Sequence, residues 1–452
     1  MFVLLRKRIA PCAAILVAAF AFVSYQAQAQ QEPETPAQDS ASVLHPAVLA
    51  SSTPEIQQVG RAGNLLDTVS PLRWGSFYIA SAQYAQVFDR GSAFAGQGSF
   101  QNAASVFSST LVFDKRFRSS RIALQYVPRV TVLNGVVLNN FTNQDTSLDT
   151  VFVLGPRWTM SFSDHFMYYR TKNAFADLYL DADSVSATTV QKNFLEGPVS
   201  WLFNSVVATF QFRLSSRTQL YASPSYVYFL TNRSAVAAGN MAAQEFIGRL
   251  GIKYSLTPRS AIQFYYNGTK DIYQGSSESS PLYQTVGVGY SRQLGAGWGI
   301  GSTFGASTVN FGTGREWTAT GSFSIAKSFR RSNAALAYSR GHALSGYISS
   351  GYSDRADLSG GMMLGRRWNA SAGIGYERNT SDARSSSLPS VLTSGLWGKY
   401  VLGQVSYQLL PSVSIFSSYV RKSQKGDDVQ IFSGNRDYIQ FGIRWSPNRT
   451  QY

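Results

Sequence analysis

Arginine and lysine are the side chains with which this sequence could bind a ligand, since they recur at alternate positions in several extended segments. A guanidinium group presents a planar fork of N–H donors to carboxylate or phosphate oxygens, which a lysine ammonium does not. On the polar side of the alternation the basic residues are Arg121, Arg129, Arg157, Arg170, Lys172, Arg213, Arg249, Lys253, Arg355 and Arg444. The acidic residues on that side are Asp114, Glu245, Asp357 and Glu377. The excess of basic groups predicts a surface that attracts anions.

A second set of basic residues falls in or beside segments that look like tight turns. Its members are Arg116, Arg118, Arg217, Arg259, Arg292, Arg330, Arg331, Arg366 and Arg367. Aspartate and glutamate are largely confined to longer polar stretches elsewhere in the chain. At one end of a membrane protein such a cluster would contact anionic lipid headgroups or a periplasmic partner, and the lipid contact is the simpler interpretation.

Residues suited to catalysis or metal binding are sparse. The three histidines are His45 in a Pro- and Ser-containing leader, His165 at a predicted turn and His342 toward the far end of a strand. We expect that they do not meet, which argues against a histidine metal site or a Ser–His hydrolase. No G-x-S-x-G occurs, and the glycines within 295–301 lack the spacing of a dinucleotide loop. The sequence therefore predicts no catalytic residue, no metal, no cofactor and no enzymatic activity.

The composition narrows the class of protein that must position these residues. The chain has 452 residues, of which 44% are hydrophobic, 14% aromatic and 14% charged, with 38 glycines. A mean hydropathy of −0.11 excludes a helical membrane protein, because each helix needs about 20 apolar residues. The aromatic content excludes a disordered chain. Aromatic and glycine enrichment with few charges is typical of a membrane β-barrel.

The two ends of the chain differ from the rest. Residues 1–29 hold a basic triplet at 6–8, an apolar run at 9–23 and small residues before position 30, which predicts a signal peptide. Residues 30–73 are rich in Gln, Pro, Ala and Ser, and we expect a flexible periplasmic segment there. Residues 447–452 form a tail. An exported β-barrel belongs in the outer membrane of a Gram-negative bacterium.

Residues 74–446 alternate apolar and polar side chains with a period of two, which predicts β-strands. Strands at 77–88 and 437–445 would begin and end the barrel. Eight tight turns are predicted between them, at 118–120, 163–165, 215–217, 257–259, 294–297, 329–332, 366–367 and 410–412. Eight hairpins and two terminal strands make eighteen, with sixteen as the next count.

The predicted fold is all-β, a transmembrane antiparallel up-and-down barrel with short periplasmic turns and longer extracellular loops. Eighteen strands leave a channel rather than a packed interior. A soluble propeller or sandwich is disfavoured, because aromatic residues such as Trp158, Trp298 and Trp368 recur at strand ends as in the two interfacial girdles of a membrane barrel.

Glycines accumulate on the inward side of the later predicted strands. They are Gly287, Gly289, Gly299, Gly301, Gly361, Gly373 and Gly375. Glycine inside a strand marks bending or the close approach of another group. The glycines therefore indicate either barrel curvature or a smooth track along which a polymer could pass.

One segment resembles a known family. Residues 70–84, Ser-Pro-Leu-Arg-Trp-Gly-Ser-Phe-Tyr-Ile-Ala-Ser-Ala-Gln-Tyr, followed by Phe88 and Asp89, resemble the opening of outer-membrane porins encoded beside exopolysaccharide synthesis and export genes. The pattern departs at 89–91, where Asp-Arg-Gly replaces an acidic Asp-Asp-Asn. The resemblance implies a barrel that works as a general porin, or that passes a polymer to the cell surface with a periplasmic export protein.

The sequence thus predicts an outer-membrane channel that passes solutes or polymer and prefers anions. One alternative is an exopolysaccharide secretion pore with a periplasmic export partner. Another is a structural or adhesin-like barrel without transport. The expected partners are outer-membrane lipid, lipopolysaccharide and an anionic solute or polysaccharide, and no nucleic acid. A TonB-type plug would need far more residues than precede the first strand.

Overall fold

The computed structural model describes twelve stretches of the chain. These stretches are 73–74, 76–92, 99–133, 141–169, 200–232, 241–273, 281–295, 297–310, 315–343, 351–381, 396–426 and 434–446. The predicted signal peptide at 1–29, nearly all of the leader at 30–73 and the tail at 447–452 lie outside them, as does His45. In the described part of the chain, no helix is long and apolar enough to span a membrane.

Eighteen long strands of 12 to 18 residues and one two-residue strand make up the structure. They are β1 (Arg73–Trp74), β2 (Phe77–Ser92), β3 (Ser99–Arg116), β4 (Ser120–Leu133), β5 (Phe141–Val153), β6 (Trp158–Tyr169), β7 (Ser200–Arg213), β8 (Thr218–Asn232), β9 (Met241–Thr257), β10 (Ser260–Tyr273), β11 (Leu282–Leu294), β12 (Trp298–Asn310), β13 (Arg315–Ser328), β14 (Ser332–Ala343), β15 (Gly351–Leu364), β16 (Trp368–Ser381), β17 (Leu396–Leu410), β18 (Val413–Gly426) and β19 (Gly434–Trp445).

The sheet closes on itself. Each strand from β2 to β19 pairs antiparallel with the next, and β19 pairs with β2 through registers such as Ile439↔Phe88. The short β1 adds only two pairs to β2 and is not a member of the wall. The structure is therefore an antiparallel up-and-down barrel of eighteen strands. The predicted fold and strand count are confirmed, and the count of sixteen is wrong.

Seven of the eight predicted tight turns lie where the sequence places them, and one does not. Residues 163–165 belong to β6, where Ser163 pairs with Asp149 and His165 with Ser147. The turn between β5 and β6 is instead at 154–157, where Gly155 has a φ of 146°, a region that favours glycine. The Ser-Asp-His run looks polar enough for a turn, but it is a stretch of strand.

The two faces of the wall invert the pattern of a soluble protein. Outward apolar side chains are exposed, as with Phe264 at 57%, Val286 at 64% and Phe304 at 67%. Inward polar side chains on the same strands are buried, with Gln263 at 7% and Ser307 at 1%. An apolar outer surface this extensive is what a bilayer, rather than water, would cover.

Aromatic residues pair across strands at the short-turn end of the outer wall. The ring centroids are 4.7 Å apart for Phe77 and Phe113, and 4.5 Å apart for Trp158 and Phe212. Lys327 places its ammonium 4.9 Å from the ring of Trp298. Apolar rings with a nearby cation suit the boundary between acyl chains and headgroups.

The wall is weakest between β13 and β14. Their register stops at Gly321↔Arg340, so the β13 residues 315–320 pair only with β12. The end of β14 continues to pair with β15 as far as Ala343↔Gly351. The last residues of β14 are therefore detached from β13 and can take a position away from the cylinder.

Candidate functional site: the barrel lumen

Strand alternation brings most of the predicted basic residues to the inner wall. The described members of that set on the inner face are Arg121, Arg129, Arg213, Arg249, Lys253, Arg355 and Arg444. The structure corrects Arg157, which is exposed in the turn at 154–157 and lies on no strand. This error follows from the misplaced turn at 163–165. Arg170 and Lys172 lie outside the described residues.

The inner wall is nearly neutral, which the sequence did not predict. The four predicted acids all face inward. Their register partners show that the inner face also carries Asp89, Asp145, Asp149, Asp271 and Glu316, and the bases Lys422 and Arg436. Apart from Arg116 at the rim, nine inward acids thus face nine inward bases in the described strands.

Several of the inward guanidinium groups bind carboxylates on the wall. Arg121 donates from Nε to Asp114 Oδ1 at 2.9 Å and from Nη2 to Oδ2 at 3.2 Å. Arg436 makes the same forked contact with Asp89, at 2.8 and 2.6 Å, and Arg355 bonds to Asp357. A paired charge presents a smaller field to a passing ion than a bare one does. These pairs therefore weaken the predicted preference for anions.

Arg249 is held differently. Its guanidinium lies 4.7 Å from the ring centroid of Tyr265 and 5.9 Å from that of Tyr221, both on neighbouring strands. Its Nε is buried and has no hydrogen-bond partner among the described residues. A cation held by ring faces keeps its net charge, because an aromatic quadrupole does not neutralise it. Arg249 is thus a source of positive potential in the lumen.

Several inward glycines leave room for side chains of the neighbouring strand, so they do not form a smooth surface for a polymer. The Tyr265 ring lies over Gly287, and the Tyr400 ring lies over Gly375, each where a Cβ would otherwise stand. The Gln263 side chain covers Gly289 in the same way. These glycines therefore accommodate side chains from the strand beside them. Gly299, with nothing within 4 Å of its added Cβ, does face open space.

Solvent reaches the two ends of the inner wall unequally. Near the short turns Arg213, Gln293 and Asn369 are exposed. Toward the long connections the inward side chains are buried, with Thr131 and Ser205 both at 0%. A lumen equally open at both ends would leave the inward side chains exposed to solvent at both ends. Solvent thus reaches the inward side chains in a vestibule at the short-turn end, and we call the other end, where the inward side chains are buried, the narrow end of the lumen.

A polar cluster on the inner side of the barrel links β14 to β9, β10 and β11 near the long connections. The end of β14 brings His342 Nε2 to 3.0 Å from Asp271 Oδ2 on β10 and to 3.3 Å from Glu245 Oε1 on β9. The Tyr283 ring of β11 stacks on the imidazole, with centroids 3.8 Å apart. The sequence predicts only that the histidines lie apart from one another. It carries no local signal that one histidine meets two carboxylates from distant strands.

The second described histidine is in a simpler setting. His165 is fully buried, and its Nε2 lies 3.7 Å from Asp145 Oδ1 on the adjacent strand. It is far along the wall from His342, on β6 rather than β14. The prediction that the histidines do not meet is therefore confirmed for the two that the structure describes.

The short-turn end forms a basic rim. The turns carry Arg118, Arg217, Arg259, Arg330, Arg331, Arg366 and Arg367, with Arg116 and Arg292 close to strand ends, as predicted. Arg157 joins this rim rather than the lumen. None of the eight short turns contains an aspartate or glutamate. The entrance to the vestibule is thus strongly positive.

Comparisons with known proteins locate no family. No protein-family profile matches the chain, and no curated protein matches it. Among solved structures it is similar to OccK2 (OpdF) of Pseudomonas aeruginosa, at TM-score 0.43 and 10% identity, covering 81% of this chain and 97% of that one. It is also similar to OccK11 (OpdR) of the same organism, at TM-score 0.40 and 13% identity, covering 81% and 95%.

The siderophore receptor PirA of Pseudomonas aeruginosa gives a similar match, at TM-score 0.40 and 9% identity, covering 81% of this chain and 80% of that one. Likenesses at this level transfer no substrate and no mechanism. The assignment of a closed barrel rests on the strand pairing itself.

Proposed function

We propose that the protein is a channel of the Gram-negative outer membrane that admits small polar solutes and favours anions. The observation that carries the proposal is the closed barrel with an exposed apolar outer wall and a polar inner wall. Apart from the gap between the ends of β13 and β14, the closed barrel pairs each strand on both sides, which is what a lipid environment demands of backbone groups. Its interior then supplies the polar path.

The preference for anions would arise chiefly at the short-turn end. The rim arginines have no acidic residues within their turns, and Arg249 keeps its charge over two tyrosine rings. Fixed charges act over about 8 Å at physiological salt, so neighbouring turns reinforce one another. The paired arginines deeper in the wall add little. Anions are therefore concentrated at the entrance more than inside the lumen.

The outer wall carries basic side chains whose charge is complementary to the phosphates of lipopolysaccharide. Charged side chains form a ring on the outer face, beyond the apolar surface at the long-connection end. In this ring Arg340 pairs with Asp354, and Arg421 pairs with Asp437. The other outward bases of the ring are exposed, and they are Arg90, Arg378, Lys399 and Lys425. Among the described residues of β14 to β19 and β2, the ring thus has six bases and two acids. Anionic phosphates of the outer leaflet suit such a surface.

Lipopolysaccharide binding can be measured on protein extracted from native outer membranes. The double variant Arg378→Gln, Arg421→Gln should carry less copurifying lipopolysaccharide than the wild type. The control variant Arg330→Gln, Arg331→Gln changes the opposite end of the barrel and should carry the same amount as the wild type. Equal loss in both variants would contradict an orientation with the short turns in the periplasm.

Ion selectivity tests the channel itself. Purified protein in a planar bilayer with a tenfold gradient of KCl should give a reversal potential with the sign of the chloride equilibrium potential. Replacing Arg249, Arg330 and Arg331 by Gln should move that potential toward zero. Replacing the paired Arg121 together with Asp114 by Gln and Asn should leave it unchanged. A wild-type preference for potassium would overturn the anion assignment.

A second candidate function is an exopolysaccharide secretion pore that works with a periplasmic export protein. The resemblance at residues 70–84 and the basic rim, which a periplasmic partner could contact, favour it. The buried inward side chains near the long connections count against a polymer path unless β14 moves aside. Loss of surface polysaccharide on gene deletion, restored by the wild type, would favour export. A barrel that neither conducts nor secretes would leave the structural alternative.

A further inference from the structure

We propose that Glu245, Asp271 and His342 form a binding site for a divalent metal ion of the zinc or iron type. The site goes beyond the proposed transport function and does not depend on it. Its three ligands come from β9, β10 and β14, and potential ligand atoms of all three lie within 4.8 Å of one another. The ion would join the end of β14 to β9 and β10, which lie five and four strands away around the wall.

The separations between the ligand atoms suit a coordination shell. Bonds to nitrogen and oxygen of about 2.0–2.2 Å place neighbouring ligands of a tetrahedral or octahedral ion roughly 2.9–3.5 Å apart. The observed separations from His342 Nε2 are 3.0 Å to Asp271 Oδ2 and 3.3 Å to Glu245 Oε1. The three atoms can therefore serve as adjacent ligands after small movements.

Hydrogen bonding alone leaves the cluster unsatisfied. An imidazole Nε2 carries at most one proton, yet three carboxylate oxygens approach it, the third being Asp271 Oδ1 at 3.3 Å. Asp271 Oδ2 is buried and has no hydrogen bond of good geometry among the described residues. A lone proton on nitrogen cannot serve all three oxygens. A metal ion accepts lone pairs from each carboxylate and from the imidazole at once.

The charges of the three side chains also favour a bound metal ion. Two carboxylates are buried here, with Glu245 2% exposed and Asp271 not exposed at all. With both carboxylates ionised, a protonated imidazole would still leave the three side chains one negative charge in excess, and a buried uncompensated charge is costly. A divalent ion with a neutral imidazole makes the group neutral. The ion thus lets both buried carboxylates stay ionised.

The ligand types select the class of ion. Imidazole binds zinc, iron, copper and nickel well, whereas magnesium and calcium prefer shells made of oxygen. Two carboxylates with one histidine form a mixed nitrogen and oxygen set. The site should therefore take Zn²⁺ and reject Mg²⁺.

The fold supplies a reason for an ion at this point. The end of β14 has left β13, and Tyr283 stacks against His342 to hold the imidazole toward β9 and β10. On the other side of the same hairpin, Tyr352 donates from its hydroxyl to Ser307 Oγ at 3.3 Å. A metal ion would fasten the end of β14 to β9 and β10 at the narrow end of the lumen.

Metal binding can be measured directly on the purified full-length barrel. After treatment with EDTA and removal of the chelator, calorimetric titration with Zn²⁺ should show one tight site per chain that Mg²⁺ does not compete for. His342→Gln and Asp271→Asn should each weaken this site by about tenfold or more, on the scale of a lost metal interaction. Heat-modifiable migration on gels would establish that each variant is folded.

His165→Gln is the matched control, because His165 is also buried and also near one carboxylate. It should bind Zn²⁺ as the wild type does. If His342→Gln does not assemble, Glu245→Gln replaces it in the comparison. Absence of a stoichiometric site in the wild type, or equal loss in the His165 variant, would overturn the proposal. Neither result would bear on conductance, so the channel proposal stands or fails separately.

Discussion

The inward glycine at position 375 offers a sharp test of how the lumen wall is packed. An alanine Cβ there would overlap the Tyr400 ring and lie 2.6 Å from Asp357 Oδ1. Tyr400 is only 4% exposed, and its hydroxyl bonds to Asp357 at 2.5 Å, so the ring cannot swing away freely. Gly375→Ala should therefore force a shift that disturbs this hydrogen bond.

The expected size of the effect follows from two opposing contributions. Overpacking in a filled site costs about 1–3 kcal/mol. Replacing glycine in a strand recovers about 0.5–1 kcal/mol by restricting the unfolded chain. Gly375→Ala should thus lower the free energy of unfolding by roughly 1 kcal/mol and by at most about 2.5 kcal/mol, the difference between the overpacking cost and the entropic gain.

Equilibrium urea unfolding of the barrel in detergent and lipid gives the measurement. Gly299→Ala is the control, since that glycine also faces inward but its added Cβ has nothing within 4 Å. It should be neutral or slightly stabilising. The double variant Gly375→Ala, Tyr400→Ala should show a coupling of about 0.5–3 kcal/mol, because the overlap is gone. Equal stability of the two glycine variants would refute the packing described here.

Three further predictions concern the wall. Leu250 lies on the outer face between outward Phe246 and Tyr254. Leu250→Arg should lower the free energy of unfolding by about 2–4 kcal/mol, measured by refolding from urea into lipid vesicles. The control Gln125→Arg, on the inner face, should be tolerated. Arg436→Ala leaves buried Asp89 uncompensated and should destabilise the closing seam by about 3–5 kcal/mol in urea melts, with partial recovery when Asp89 is also replaced. A peptide tag between β16 and β17 should bind antibody on intact cells, whereas a tag in the turn before β14 should not. The reverse labelling would contradict the orientation.

Local alternation was enough to predict the barrel. Outward positions of the strands are predominantly apolar, and short turns, most of which carry an arginine, connect the two strands of each hairpin, so the strand count and seven turns could be predicted directly. The turn at 154–157 carries a turn signal in Gly155-Pro156, but the prediction gave more weight to the polar residues 163–165, which lie in a strand.

The contacts inside the lumen could not be predicted in the same way. Alternation places Arg436 and Asp89 on the same face, but they are 347 residues apart in the chain and meet only when the barrel closes. His342 meets Glu245 and Asp271 only because β14 leaves β13, and no local pattern marks that separation. The anion preference was therefore overestimated, since a list of basic residues omits the acids that fold against them.

Single-channel recording of the purified wild-type protein tests the central claim most directly. Folded barrel, identified by heat-modifiable migration, would be inserted into a planar lipid bilayer in symmetrical KCl. We expect discrete steps of current, because each closed barrel provides one polar path. Inserted, folded protein that carries no current, both as the wild type and with His342→Gln in the narrow end of the lumen, would contradict a channel.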